Sequence, residues 1–420
     1  MKKITLFVLF ASLTLSADAE LDMLKEQLAQ QQKIIQALQK QVAQIEKRNT
    51  LKEQTELDAK MAQSTNDFSS SFSQQDYLPD ISLILNTSVV SRDVKNTEYE
   101  NYAIPGFIDA GNAEMPFNKD RGFNLNYAEL ALYSTVDPYF DAYAIFHLSS
   151  DEFEIEEAYV TTRALPAGLK VKAGKFRSAF GRINEKHQHS WNFSSQPIIY
   201  KSLFGPEGIN DAGVQLQWLA PTDTYFMAGI DAMQGSQDRS FGDLDQNNLY
   251  VGYLKSSVDV GNTLSILGGV SLAHGTNVDK KDTDVYGLDL TLRQQLDSYS
   301  SIVWQSEYLQ RDKTLSDSST DKQAGFYSEL VYNYDRNFAG GIMYDKITKN
   351  DTDLSFYNGV DTDNLDRYTT MIEYKPFPFS RLRLQYTHDR TKVINNERKD
   401  VNEIILELNI AAGAHGAHSY

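Results

Sequence analysis

The chain has 420 residues, no cysteine and a formal net charge of −17. The lack of cysteine excludes disulfides, thiolate metal sites and cysteine nucleophiles. The negative balance argues against nucleic-acid binding, which needs a basic face to replace phosphate counterions.

In chain order, Lys2 and Lys3 precede an apolar run from Ile4 to Leu15, and Ala17-Asp18-Ala19 has the small-x-small form of a cleavage site. This predicts a signal peptide over 1–19 and a mature chain from Glu20. No later apolar run is long enough for a spanning helix, so any membrane span must be a closed β-barrel.

Residues 20–61 read as a helical coiled coil. Leu21, Leu24, Leu28, Gln31, Ile35, Leu38, Val42 and Ile45 follow an unbroken 3-4 spacing. That spacing suits a supercoil between copies, and the one polar residue in the seam, Gln31, can fix register and strand number. Residues 62–79 form a polar, Ser-rich linker ending at Pro79.

From Asp80 the period changes to two. Leu382, Leu384 and Tyr386 alternate with Arg381, Arg383 and Gln385, and Val171 and Ala173 with Lys170 and Lys172. Short connections are predicted at 137–138, 165–168, 220–223, 259–262, 295–298, 334–337 and 375–380. Longer polar ones are predicted at 92–120, 177–210, 234–246, 274–283, 311–323, 346–367 and 389–400, with a short one after Leu148. The alternation implies about sixteen strands with both ends on one side, as in bacterial outer-membrane barrels. On the last strand Ile404, Leu406, Leu408 and Ile410 share one face, and Tyr420 falls in phase with them. The expected fold is all-β: an antiparallel transmembrane β-barrel over 80–420, behind an N-terminal α-helical coiled coil placed in the periplasm.

The polar faces of the strands supply the pore-lining candidates. These are Lys170, Lys172, Lys175 and Arg177, then Arg182 in the following loop, Arg381 and Arg383, and the acids Glu329, Glu403 and Glu407, with Glu307 beside them. Charges of both signs suit a water-filled lumen, although any one of them could simply solvate the wall. The loop at 177–210 holds Trp191, Phe193, Tyr200 and Phe204. A loop that long and apolar can fold inward and narrow the barrel, cover its mouth, or join a trimer interface. Five aspartates between 351 and 366 read as a solvated outer loop.

His187-Gln188-His189 is the sharpest metal candidate, because in an extended segment both rings point to one side. The plainer reading is two surface histidines. His415 and His418 would face opposite ways on a strand. No Gly-x-Ser-x-Gly elbow, P-loop or dinucleotide fingerprint occurs, so neither catalysis nor an organic cofactor is expected. Zinc is the ion this histidine pair would suit, bound or transported.

The sequence also resembles a known family. The stretches are Ile104-Pro105-Gly106-Phe107, Arg121-Gly122-Phe123-Asn124-Leu125, Val136-Asp137-Pro138-Tyr139-Phe140-Asp141, Ile155-Glu156-Glu157-Ala158-Tyr159, Leu165-Pro166-Ala167-Gly168-Leu169 and Gly174-Lys175-Phe176 with Phe180-Gly181-Arg182. With the ending Gly413-Ala414-His415-Gly416-Ala417-His418, they resemble porin-like proteins often labelled zinc-regulated outer-membrane receptors. More distantly, Glu-Glu-Ala-Tyr and Gly-Lys-Phe resemble phosphate-selective porins, which are trimeric sixteen-stranded barrels. The resemblance implies a pore for small polar or ionic solutes. A plug domain like that of TonB-dependent receptors, with their barrels of about 22 strands, finds no room before Asp80, and no long arginine ladder supports phosphate preference. The alternatives are a plug-less uptake receptor for zinc or a metal chelate, and a barrel enzyme or stalked anchor. Expected partners are outer-membrane lipid, two further copies through residues 21–45, a small solute or ion and, through the stalk, peptidoglycan.

Overall fold

A computed structural model describes residues 79–149, 153–245 and 248–413. The signal peptide, the coiled coil, the linker before Pro79, His415, His418 and Tyr420 lie outside the described residues.

The strands are β1 (Asp80–Arg92), β2 (Gly122–Thr135), β3 (Phe140–Leu148), β4 (Phe153–Thr162), β5 (Leu169–Arg177), β6 (Asn210–Leu219), β7 (Phe226–Met233) and β8 (Leu249–Val260). They continue as β9 (Leu264–Thr276), β10 (Asp282–Gln295), β11 (Ser301–Thr314), β12 (Thr320–Asn333), β13 (Phe338–Asn350), β14 (Asp366–Phe377), β15 (Ser380–Ile394) and β16 (Glu397–Gly413). Each pairs antiparallel with its sequence neighbours, and β1 pairs β16 from Ser82↔Gly413 to Arg92↔Glu403, closing one sixteen-stranded barrel. Closure leaves no strand edge without a hydrogen-bonding partner, the condition for a sheet to sit in lipid.

All seven predicted short turns connect the expected strands, and β1 begins and β16 ends at that same end of the barrel. The other end differs from expectation in three places. The connections predicted at 274–283, 311–323 and 389–400 are mostly strand, leaving 277–281, 315–319 and 395–396 as turns. Their polar residues continue the ladders past the apolar band. The β15–β16 turn is Asn395-Asn396, with φ of 53° and 61°, the left-handed pair that a two-residue hairpin requires.

The outer surface carries the period-two apolar face. Ile342, Ile372, Leu384, Ile404, Leu406 and Leu408 are exposed on it. Tyr139, Phe140, Tyr299, Tyr334, Phe377 and Phe379 ring the short-turn end; Phe123, Tyr250, Tyr286, Tyr308 and Tyr368 lie toward the other. An apolar band between two aromatic girdles is the dress of a barrel in a bilayer.

The interior departs from a simple water-filled lumen. The largest apolar cluster among the described residues lies inside the barrel, where Val285 (β10), Leu309 (β11), Tyr327 (β12) and Met343 (β13) meet residues of the connection 178–209. The alternation rule identifies the inward positions but cannot say whether they face water or another piece of chain.

The lipid face and the lumen predict opposite responses to charge. Leu384→Arg should cost about 2–4 kcal/mol, as an arginine near mid-bilayer does in such barrels. Lys170→Gln, on the inner parity, should stay within about 0.5 kcal/mol, the usual range for solvated sites. Guanidinium unfolding of vesicle-inserted protein measures both.

Candidate functional site

The connection between β5 and β6 folds into the barrel because its apolar side chains find sockets there. Phe180, Trp191, Phe193, Ile199, Tyr200, Leu203 and Phe204 are all buried. The α-helix Ile198–Phe204 lies against β11, β12 and β13. Two wall glycines make the room: a Cβ at Gly287 would stand 2.9 Å from Phe180 Cζ, and one at Gly325 would stand 3.0 Å from Ile199 Cδ1.

Burying a loop also buries its backbone, whose polar groups need partners. The wall provides them with side chains on consecutive inward positions of β15. Arg381 Nη1 donates to the His189 carbonyl at 2.7 Å, and Arg383 Nη2 to the Trp191 carbonyl at 2.9 Å. Ser194 N donates to Gln385 Oε1 at 2.8 Å, and Gln385 Nε2 returns a bond to Ser195 Oγ at 2.9 Å. On β13, Asp345 accepts from Ile198 N at 2.9 Å and is paired with Arg367 of β14 at 2.9 Å. Glu307 of β11 accepts from Arg182 N at 2.8 Å, from Tyr200 Oη at 2.7 Å and from Tyr327 Oη.

The segment 191–196 therefore stands as a septum. Toward the long-loop end lies a cavity of about 100 Å³, lined by Arg92, Tyr99, Tyr102, Lys201 and Lys392 among others. Toward the short-turn end lies one of about 280 Å³, lined by Asn192, Glu373, Lys375, Arg381 and Arg383. Trp191 lines both.

The other anchor of the loop is on β2 to β5. Opposite Ile145 and Phe146 of β3, the β4 register jumps from Glu157 to Ile155. Glu156 is the extra residue of a β-bulge, so both Glu156 and Glu157 turn inward and are buried. His187 enters between them and Glu129 of β2. Its Nε2 lies 3.2 Å from Glu157 Oε2; its Nδ1 lies 3.2 Å from Glu156 Oε2 and 3.4 Å from Glu129 Oε2. His189 Nδ1 is 3.3 Å from the same Glu129 oxygen. Arg177 closes the group, bonding Glu156 at 2.6 Å through Nη2 and Glu157 at 2.5 Å through its backbone amide. Burial works against a charged His187, but the carboxylates of Glu156 and Glu129 outweigh it and hold the imidazole's pKa well above the usual histidine range.

The candidates from the sequence fall into place unevenly. Lys170 and Lys172 are on the inner parity, with Lys172 Nζ 4.7 Å above the Tyr159 ring. Lys175 is not: it pairs with Ala158, shares the outward parity of Val171 and Ala173, and reaches Glu154 of β4 at 3.5 Å. Its strand alternates lysines without regard to face until Phe176 enters the interior core. Arg182 is half-buried in the inward loop, near Glu185 at 4.0 Å, and Glu185 also meets Lys255 of β8 at 3.6 Å. Glu329 accepts from Asn192 at 2.6 Å, Glu403 from Arg92 at 2.7 Å, and Glu407 pairs with Arg381 at 3.0 Å. The opposite charges Arg92 with Glu403 and Arg381 with Glu407 stand side by side as ion pairs. His187 and His189 do lie together, 5.7 Å between ring centres, but in the barrel interior rather than on a surface loop. Sequence reading passed over Glu129, Glu156, Glu157 and Gln385. The adjacent pair Glu156-Glu157 in an alternating strand was the available signal, because a strict period of two puts one of them in lipid.

No established family profile matches the sequence. Among solved structures the barrel is similar to an anion-selective porin from Comamonas acidovorans, with a TM-score of 0.54 at 11% identity over 80% of this chain and 100% of that one. The outer membrane channel DcaP of Acinetobacter baumannii gives 0.52 at 12% identity, over 80% and 97%. OmpT, an outer membrane protein of Vibrio cholerae, gives 0.51 at 10% identity, over 83% and 100%. At these identities the likeness establishes the fold, a porin-type barrel. An uncharacterized protein of Aquifex aeolicus (strain VF5) is 42% identical over 385 residues, 84% of this chain and 82% of the relative. At that identity and coverage, the chain belongs to the same protein family as the Aquifex aeolicus protein.

Proposed function

We propose that the protein is an outer-membrane porin through which small polar or ionic solutes diffuse. The observation that carries this reading is the inward loop: a closed barrel whose charged inner wall holds a built constriction, the segment 191–196, between cavities on either side. A purely structural barrel has no use for a septum held by ion-paired arginines. The mechanism is passage through a narrowed, water-accessible path whose wall offers both signs of charge. Mixed charge favours hydrated polar and ionic solutes over apolar ones without fixing one ion sign. The resemblance to porin-like proteins and the similarity to an anion-selective porin and a channel barrel support the same reading.

In this reading the mature chain is a trimer, joined through the heptad seam at 21–45, with that stalk in the periplasm. An unbroken 3-4 spacing with a single polar seam residue supports self-association.

Purified full-length protein should conduct ions in planar bilayers; protein that inserts without conducting would overturn the reading. Gln385→Ala strips partners from Ser194 N and Ser195, weakening the septum by about 1–3 kcal/mol. Arg383→Ala leaves Glu373 and Glu407 short of a counter-charge, at about 3–5 kcal/mol. Both should enlarge the single-channel conductance or add flickering, Arg383→Ala more. For the stalk, cross-linking should trap trimers of the full mature chain and lose them on deletion of residues 20–61; equal trimer yield from both would reject a stalk-driven assembly.

A further inference from the structure

We propose that Glu129, Glu156 and His187 form a divalent transition-metal site inside the barrel, with His189 as a further ligand. Donor atoms from β2, β4 and the inward loop converge within 4.8 Å of one another, and all three residues are buried.

The spacing suits an ion better than hydrogen bonds. An ion with ligand bonds of about 2.1 Å in a tetrahedral shell holds its donors about 3.4 Å apart. His187 Nδ1 stands 3.2 Å from Glu156 Oε2 and 3.4 Å from Glu129 Oε2, and His189 Nδ1 stands 3.3 Å from Glu129 Oε2. The two Glu129 contacts lie beyond the usual hydrogen-bond range.

A second observation is independent of the clustering. Glu129 is 1% exposed, yet among the described residues its oxygens meet only the long contacts of His187 and His189 to Oε2, and Glu156 Oε2 beside it meets only the His187 and His147 rings. Several buried carboxylates elsewhere on this wall are answered by donors, Glu373 by Arg383, Asp345 by Arg367 and Glu307 by Tyr200, while Asp289 of β10 is not. A fully buried carboxylate without a donor is costly unless a cation meets it.

The surroundings also orient the imidazole. His187 Nε2 faces Glu157 Oε2 at 3.2 Å, and Glu157 is itself fixed by the Arg177 amide at 2.5 Å. A carboxylate on the far ring nitrogen is how metal-bound histidines are commonly held and made more basic. It presents Nδ1 to Glu129 and Glu156. A donor set of carboxylates and imidazole, with no sulfur, selects Zn²⁺, Mn²⁺ or Fe²⁺ over Ca²⁺ and Mg²⁺, which take oxygen. Bound there, the ion would join the loop to the wall at the start of the septum.

The rival occupant is a proton, giving a doubly protonated His187 among three carboxylates. Metal content separates the two. Full-length protein in detergent is stripped with EDTA, dialysed against Zn²⁺ or Mn²⁺, and assayed by mass spectrometry of the metal and by titration calorimetry. One ion per chain is expected, with affinity reduced at least tenfold in Glu129→Gln and in His187→Gln and unchanged in His274→Gln. Heat-shifted mobility on gels verifies that each variant keeps its barrel. Wild-type protein that takes up no more metal than His187→Gln overturns the site, as does uptake that both variants retain. Conductance of the same preparations reports on the pore separately, so a conducting protein that binds no ion loses this site alone.

Discussion

A chain that enters a closed barrel leaves water for a space whose walls are already fully hydrogen-bonded to one another. The strand ladders have no backbone donors to spare, so everything the loop 178–209 needs must come from side chains on the inner parity. That requirement explains the inner wall. Arg381, Arg383 and Gln385 are spaced two apart on β15, and they meet the loop backbone at 189, 191 and 194, with Gln385 also reaching the Ser195 hydroxyl. Asp345 and Glu307 do the same for the amides of Ile198 and Arg182. Between these grips, Val285, Leu309 and Tyr327 are apolar because helix Ile198–Phe204 and Phe180 cover them.

This arrangement also sets what could be read from the sequence. Strand number and all seven short turns follow from local patterns: period-two apolarity and turn residues act over a few positions. The stalk and the export signal are equally local readings, though they fall outside the described residues. The inward course of 178–209 was legible only as one of three options, since a loop carrying Trp191, Phe193, Tyr200 and Phe204 must bury them somewhere. Which wall receives it depends on contacts such as Ser194 with Gln385, 191 residues apart. No local pattern encodes a separation of that kind. The same reason accounts for Lys175: parity along one strand is legible, but which parity faces in depends on register with β4.

The bulge at Glu156 shows how one extra residue changes chemistry. In a regular strand, consecutive residues face opposite sides, and a carboxylate in lipid is costly. The jump between Ile145 and Phe146 lets both Glu156 and Glu157 face inward. One of them holds Arg177 and turns its other oxygen toward His187; the other faces the far ring nitrogen. Without the bulge the histidine would meet a single acid from β4, and the loop would lose half of this anchor.

Paired charges inside a barrel contribute little net stability, because desolvation cancels much of their attraction. Their value here is positional. A purely apolar contact between loop and wall would tolerate sliding, since dispersion is weak and undirected per atom. A guanidinium fork is not tolerant in that way. Arg383 is pinned by Glu373, through Nη2 at 2.6 Å and Nε at 3.0 Å, and Nη2 so held also donates to the Trp191 carbonyl at 2.9 Å. Arg381, pinned by Glu407, fixes the carbonyl of His189 in the same manner. The acids therefore act at one remove, by fixing the arginines that fix the loop. Trp191, the residue shared by both cavities, owes its place to a carboxylate it does not touch.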